Sequence, residues 1–569
     1  MKKIRFMVAI CAALMIAAPA MALEVEVSGH YFIEYFNNSN PNLKDSDATD
    51  DYLTMEFMAQ PVFKVNDNIT LTTQFTALQD HVWGTRASGP DDEAASNPLA
   101  PEMDNNENFD WKAAYLTIKT PIGGFIAGRY IDSAWGTGLG DTTASHGSNS
   151  FQKDRLMYVV PVGDFISGLV AQKNREGDKG TLVSDQDFTK YYAFSAYRKE
   201  NWSTGLLFSY YDIGNFVTQK ELRRFQSGFA NFNQLSDAAT TARGTYTGTY
   251  AGALQLAGGL NPALVPVVQA APFDAAQSAA LDGALAGIGR PPLDLYGLNS
   301  NALVAEGAAA AQGAQLQGGP ERTDANIFLL DPYFKGAFGP FSVEAELIYG
   351  WGKIDLNANE IDPVSGEVFD SLDASALLAT VDLKYDIAGF TFNGGYTYVQ
   401  GDSDYSDSET SAAGYLERSN DLEHGFLLTS DVSNLQGSLG GTDSRGIPLG
   451  NVAGGPETLT GTAGYQAFWL GAKYRLLDNL NLGFLYVNSQ ADDPPYYNLD
   501  PAAGPINKTQ WDDDHGSEYD FTLEWDMMSN LKFWGVVAYL DAGDYWKQDN
   551  PNADIEDNLT FYGRMTLEF

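Results

Sequence analysis

Apolar and polar residues alternate one by one along most of the chain. Val25, Val27, Gly29, Tyr31, Ile33 and Tyr35 share one face of such a run, and Glu24, Glu26, Ser28, His30 and Glu34 share the other. Phe341, Val343, Ala345, Leu347 and Tyr349 stand against Ser342, Glu344 and Glu346. Leu377, Ala379, Val381, Leu383 and Tyr385 oppose Asp382 and Lys384, and Tyr519, Phe521, Leu523 and Trp525 oppose Glu518, Asp520, Glu524 and Asp526. A period of two is the signature of an extended strand with unlike faces. The segments run to roughly 9–13 residues, the length a tilted strand needs to cross a bilayer.

The connections sharpen the picture. Short ones, such as "VNDN" (65–68), "TPIGG" (120–124), "VGDF" (162–165), "KENW" (199–202), "AFGP" (337–340), "DIAG" (386–389), "LDN" (477–479) and "MSN" (528–530), alternate with long polar segments. This is a meander with tight turns on one side and large loops on the other. It predicts an all-β, transmembrane, antiparallel up-and-down β-barrel of about 18 strands, with 16 as the alternative count. The short turns are then periplasmic and the long loops extracellular. One polar and one apolar face also suits a soluble sandwich, but aromatic residues near the ends of the apolar faces are what interfacial girdles require. In hydrocarbon an open sheet edge leaves backbone groups unpaired at several kcal/mol each, so the first and last strands must meet. The terminal "TFYGRMTLEF" (560–569) keeps the alternation to its last residue, which marks Phe569 as part of the closing strand, facing lipid.

Two stretches lose the rhythm. Residues 212–325 turn Ala-, Gly- and Gln-rich, with "FDAAQSAALDGALAGI" as a candidate short helix ended by Gly289. The stretch reads as an oversized surface loop, or else as a segment folded into or over the pore. Residues 401–464 form a second long loop, acidic and rich in Ser and Gly.

The only apolar run long enough to notice is at the start. Lys2, Lys3 and Arg5 precede an apolar core, and Ala20-Met21-Ala22 makes a small-x-small cleavage site, so 1–22 reads as a secretory signal and 23–569 as the barrel. The one cysteine, Cys11, falls within that leader, which leaves the barrel without disulfide, thiol or thiolate-ligand chemistry. Loss of the leader lowers Lys plus Arg from 34 to 31 against 74 Asp plus Glu. Such acidity excludes nucleic acid as a partner. Much of it sits in loop-like runs such as "GDSDYSDSET" (401–410), which read as solvated surface. A calcium clamp at Asp402, Asp404 and Asp407 is the minor reading of that run.

The stretch "WKAAYLTIKTPIGGFIAGRYIDSAWGTGLGD" (111–141) with "DRLMYVVPVGDFISGLVAQ" (154–172) resembles the Gram-negative outer-membrane general diffusion porins. Ala114-Tyr115, Ile118-Lys119, Gly123-Gly124 and Gly128-Arg129 match that family in order, on the fourth and fifth strands, and the strand bearing Arg155, Tyr158 and Pro161 matches as well. The resemblance implies a third loop folded into the barrel, with acids on the loop facing bases on the wall. Asp132 and Asp141 stand where the loop acids are, and Lys112 and Arg155 at basic wall positions. By alternation Lys112 and Arg155 face the lumen, with Tyr115 and Tyr158 on the opposite faces. Where the family often has another wall arginine, this chain has Glu56 and Thr54. Arg129 shares a face with Phe125 and Ala127, as a wall or subunit-contact residue. The resemblance also implies homotrimers, in which the second loop (84–108) reaches the neighbouring subunit and its Asp91, Asp92 and Glu93 meet Arg129.

The implied function is passive diffusion of small hydrophilic solutes and ions through a water-filled, loop-narrowed channel in the outer membrane, in contact with its lipid and lipopolysaccharide. Lumen acids Glu56, Glu344, Glu346, Asp382, Glu518, Asp520 and Glu524 give it a modest cation preference. Two rival readings stay open: a channel specific for a sugar or organic ion, with Trp469 and Trp534 as stacking residues or as rim anchors, and a barrel that sheathes a partner protein. Neither enzyme chemistry nor a cofactor is expected. His30, His81, His146, His424 and His515 form neither a Ser-His pattern nor a paired metal motif.

Overall fold

In a computed structural model the described residues are 24–40, 49–83, 109–130, 153–175, 187–216, 323–361, 368–402, 464–494, 510–547 and 552–569. Shorter pieces at 135–137, 239–251, 298–305, 409–411 and 425–428 and some single positions complete them. The leader 1–22 lies outside them.

The first six strands are β1 (Glu24–Ser39), β2 (Thr49–Asn66), β3 (Ile69–Val82), β4 (Phe109–Thr120), β5 (Gly123–Tyr130) and β6 (Lys153–Val162). Next come β7 (Phe165–Arg175), β8 (Phe188–Arg198), β9 (Trp202–Phe216), β10 (Thr323–Phe338), β11 (Phe341–Ile361) and β12 (Val368–Ile387). The last are β13 (Phe390–Val399), β14 (Tyr465–Leu477), β15 (Leu480–Gln490), β16 (Asp514–Met528), β17 (Leu531–Ala542) and β18 (Asn558–Glu568). Each pairs antiparallel with the next. The sheet's nineteenth member, Glu409–Ser411, only adds a short parallel rung to β12, so 18 strands form the wall.

The sheet closes on itself. β1 pairs with β18 from His30↔Glu568 to Ser39↔Leu559. Phe569 continues the seam: its N–H donates to the carbonyl of Gly29 at 3.0 Å and its carbonyl accepts from the Gly29 N–H at 2.9 Å. Its ring stacks on Phe57 at 5.9 Å. All eight short connections fall between consecutive strands as tight turns.

Outward positions carry large apolar side chains that remain exposed, among them Leu156, Leu169, Tyr191, Leu470, Phe521, Phe561 and Met565. A wall of this kind would be ruinous in water and is what a barrel in hydrocarbon needs. The fold is a transmembrane antiparallel β-barrel.

The strands β9 and β10 reach Phe216 and Thr323, so the regular wall extends a few residues further into the 212–325 stretch than alternation indicates. The remainder, 217–322 with 498–508, is a separate compact unit. Its described parts are helical at 239–251 and 298–305, and also at 279, 282, 285 and 286 within the candidate helix. Arg243 Nη1 donates to Asn299 Oδ1 at 3.1 Å and ties the two longer helices together.

Candidate functional site

The inner face of the barrel divides into two belts. Toward the loops it is apolar and buried: Ile327 and Leu329 on β10, Ile348 and Ile354 on β11, Leu372, Ala374, Ala376 and Leu378 on β12, Val399 on β13, Tyr465 and Ala467 on β14. Val536, Ala538 and Leu540 on β17, with Phe36 and Tyr562, continue it around the seam. Toward the turns the inner face is charged and open, with Lys335 beside Glu344 at 3.6 Å and Lys473 on Glu524 at 2.6 Å. Alternation alone leads to a polar lining throughout. The loop-side belt departs from this because in "SLDASALLATV" (371–381) the alternation reverses: near the loop Leu372, Ala374 and Ala376 face inward opposite Ser371, Asp373 and Ser375, and past Leu377-Leu378 the apolar side is the outer one.

The third loop does fold inward. Its described piece, Trp135-Gly136-Thr137, reaches the wall on β8, β10 and β11. Trp135 meets Tyr333 edge-on at 5.1 Å and Phe194 at 5.6 Å. The Thr137 N–H and hydroxyl both donate to Glu346 Oε2, at 2.8 and 2.5 Å, and the carboxylate is buried. Gly136, at φ +65°, lies so close that a Cβ there would come within 1.9 Å of Glu346 Oε1. Asp132 and Asp141 lie outside the described residues.

A second inward segment comes from the loop between β13 and β14. Three successive amides of Phe426, Leu427 and Leu428 converge on two wall carboxylates. Phe426 N–H donates to Asp520 Oδ2 at 3.0 Å, Leu427 N–H to Glu518 Oε1 at 2.6 Å and Leu428 N–H to Glu518 Oε2 at 2.9 Å. Consecutive amides around an anion are a nest, here formed by the loop on acids that are 0 % and 3 % exposed. The Phe426 ring rests on Tyr562 at 5.0 Å and edge-on to Trp534 at 6.1 Å. The sequence carries one signal for this hook: "GFLL" is an apolar island in an otherwise polar loop.

Of the basic wall residues, Lys112 and Arg155 are inward and buried. Lys112 pairs with Asp110 at 3.0 Å. Arg155 Nε donates to Gln172 Oε1 at 2.6 Å and its guanidinium lies over the Tyr130 ring at 5.6 Å. Tyr115 is a correction. It lies on the same side as Arg155, with its ring 4.5 Å from Tyr130, because Lys112 is an extra residue in β4 where the pairing with β3 skips from Gln74↔Ala113 to Phe75↔Trp111. The bulge moves everything after it to the other face. Gly128, directly opposite Tyr115 at φ +134°, accommodates the crossing, since a Cβ would sit 2.3 Å from the Ala114 carbonyl. Tyr158 faces outward against Phe125 at 4.7 Å, as alternation indicates.

Glu56 is fully buried, with its Oε1 at hydrogen-bond distance from His30 Nε2, 3.2 Å. The arginine absent from β2 has a counterpart on β18: Arg564 pairs with Glu34 at 3.3 Å and stacks on Phe32 at 3.9 Å. Thr54 Oγ1 and the Tyr562 hydroxyl also donate to Glu34, at 3.1 and 2.8 Å. Only closure brings Arg564 beside β1, so linear reading has no means of placing it there.

Trp469 and Trp534 both point inward and neither is a rim anchor; Trp469 is buried, and Trp534 packs against Phe426 and Tyr562. Folding also creates a contact that no spacing along the chain shows: Ser489 Oγ lies 2.9 Å from His515 Nδ1. Both are buried, and His515 packs edge-on to Tyr545 at 4.5 Å, so the pair is walled off from any substrate. His146 and His424, and the His81 side chain, lie outside the described residues. Among the described residues no three His, Cys, Asp or Glu side chains are grouped to hold a metal. Asp402 accepts from the Ser411 N–H at 2.9 Å; Asp404 and Asp407 are not among those described.

Arg129 faces outward, half exposed, with Nε and Nη2 donating to the two oxygens of Asp154 at 3.0 and 3.2 Å. Asp91, Asp92 and Glu93 lie outside the described residues. On the turns, Lys199 is held above the ordinary lysine range by its hydrogen bond to Asp164.

These features define a transmembrane barrel with loops drawn into its bore. No protein-family profile matches the chain, and no curated protein matches it. Solved structures similar to it include Pseudomonas aeruginosa OccK8 (OprE), at 9% identity and TM-score 0.43, covering 96% of this chain and 98% of that one. Pseudomonas aeruginosa OpdL is similar at 10% identity and TM-score 0.42, covering 96% and 99%. Salmonella typhi OmpF, in a complex with daunomycin, is similar at 10% identity and TM-score 0.35, covering 96% and 98%. The barrel itself is established by its own strand pairing.

Proposed function

We propose that this protein is an outer-membrane channel of a Gram-negative bacterium, passing small hydrophilic solutes and ions by passive diffusion. The observation that carries this reading is a sealed barrel whose third loop leaves the rim and binds Glu346 on the inner wall. Such a loop narrows a bore, and the wall bases Lys112 and Arg155 and the wall acid Glu56 belong to the same inner face, each held by a neighbouring wall group. The protein's work is to hold these charges in place; no bond in the solute changes, and no enzyme activity is assigned.

Acids outnumber bases in the inner wall's named set, which favours cations. In a KCl gradient across a planar bilayer the reversal potential is expected to carry the sign of modest K⁺ preference. An anion-selective sign would overturn that assignment. A panel of ions and sugars in the same bilayer tests the channel itself.

A second reading, a substrate-specific channel, is favoured by the hook on Glu518 and Asp520. A bore narrowed from two sides has more room for recognition than one narrowed once.

We also assign a homotrimer embedded in lipid and lipopolysaccharide, with Arg129 at the subunit contact. Exposed ion pairs contribute only about 0–1 kcal/mol, so losing Arg129–Asp154 hardly changes the monomer. Arg129→Glu is therefore expected to shift trimers to monomers on native gels while leaving the barrel folded. Adding Asp154→Arg restores the internal pair but not a contact between subunits. An undisturbed trimer in Arg129→Glu removes Arg129 from the interface.

A further inference from the structure

Below the hook, on the turn side, the inner wall holds a recess of about 270 Å³. Its roof is Phe426 and Trp534, and its floor includes Asn393, Thr522, Lys473 and Glu524 from β13, β16 and β14. The volume lies near the lower end of ligand sites, roughly 300–1,000 Å³. Gly471 and Gly483 keep the floor low; a Cβ at 483 would come 2.2 Å from Thr522 Oγ1.

The charges in this recess differ in access. Asp520 is 3 % exposed and occupied by the Phe426 N–H. Lys473 and Glu524 are 45 % and 40 % exposed, bonded to each other at 2.6 Å, with Asn481 Nδ2 on the far Glu524 oxygen at 3.4 Å. The recess therefore offers a solute one cation and one anion, next to an aromatic roof. A singly charged solute that engages either partner breaks the Lys473–Glu524 bond and leaves the other partner to solvent alone. A zwitterion exchanges one ion pair for two and leaves neither charge stranded. Its apolar body then lies against Phe426 and Trp534, where aromatic contact adds to area burial.

Building on the channel reading above, we infer that this recess is a subsite for small zwitterions with an apolar or aromatic side chain, read by Lys473, Glu524, Phe426 and Trp534. Lys473 takes the carboxylate and Glu524 the ammonium group.

The test is current block in a planar bilayer by four probes: L-phenylalanine, phenethylamine, 3-phenylpropionate and glucose. L-Phenylalanine is expected to half-block at a concentration about tenfold below each of the others. Lys473→Gln should erase that advantage and leave phenethylamine the best blocker; Glu524→Gln should leave 3-phenylpropionate the best. A merely structural role for the pair shifts all four probes alike, and that result overturns the subsite, as does equal block by all four in the native protein. Titrating the same probes calorimetrically into detergent-solubilised protein reads the recess without current. An electrically silent barrel would thus defeat the channel reading, while the heats alone would decide the subsite.

Discussion

Glu518→Ala is expected to raise the single-channel conductance and its open-state noise. The hook's three amides have two carboxylates as acceptors, and Glu518 serves two of them. Removing it strands the Leu428 amide in a buried place, at about 1–3 kcal/mol, and takes from the Leu427 amide its bond to the wall. Asp520 retains one bond, to Phe426, which is too little to offset that cost. The segment then leaves the wall and the bore widens on that side. Glu518→Gln keeps one carbonyl acceptor and should fall between native protein and alanine variant. Single-channel recording checks this, and unchanged conductance and noise in Glu518→Ala would show that the hook does not depend on its acid.

The third loop offers a parallel experiment with two routes to one displacement. Glu346→Leu takes the wall acceptor from both the Thr137 amide and its hydroxyl, at about 0.5–1.5 kcal/mol for each hydrogen bond lost. Gly136→Ala leaves the charge intact but puts a methyl group 1.9 Å from the same carboxylate, at a backbone angle that L side chains rarely adopt. Both variants are expected to raise conductance. Conductance unchanged in both variants would mean that the Thr137–Glu346 contact does not set the narrowest cross-section.

Much of this architecture was legible in the chain. Alternation with tight turns located the strands, and the unbroken pattern through Phe569 indicated the seam. Lys112 and Arg155 were placed inward and Arg129 outward by the same logic. The misses share a cause. Alternation puts Tyr115 on the wrong face because one extra residue, Lys112, resets the count, and a bulge has no marker in a period of two. The partnership of Glu346 with Thr137 spans 209 residues, and that of Phe426 with Asp520 spans 94. Local pattern carries no information about such pairs. Arg564 reads as one more polar position in "TFYGRMTLEF" until the cylinder closes and delivers it to Glu34.

The loop-side halves of β10 to β12 have a consequence for how the barrel is made. In β1, sliding by one residue would turn Glu34 to lipid and Tyr35 to the bore, so the membrane itself rejects the error. In β10 the same slide exchanges Ile327 and Leu329 for Phe328 and Leu330, and in β12 it exchanges Ala376 and Leu378 for Leu377 and Ala379, neighbours hardly less greasy, and there the bilayer scarcely objects. Correct alignment there must be inherited, from the two-residue turns at 339–340 and 388–389 and from neighbours already in place. Assembly errors should therefore gather in this sector, and lengthening either turn by one residue is the change that would let them through.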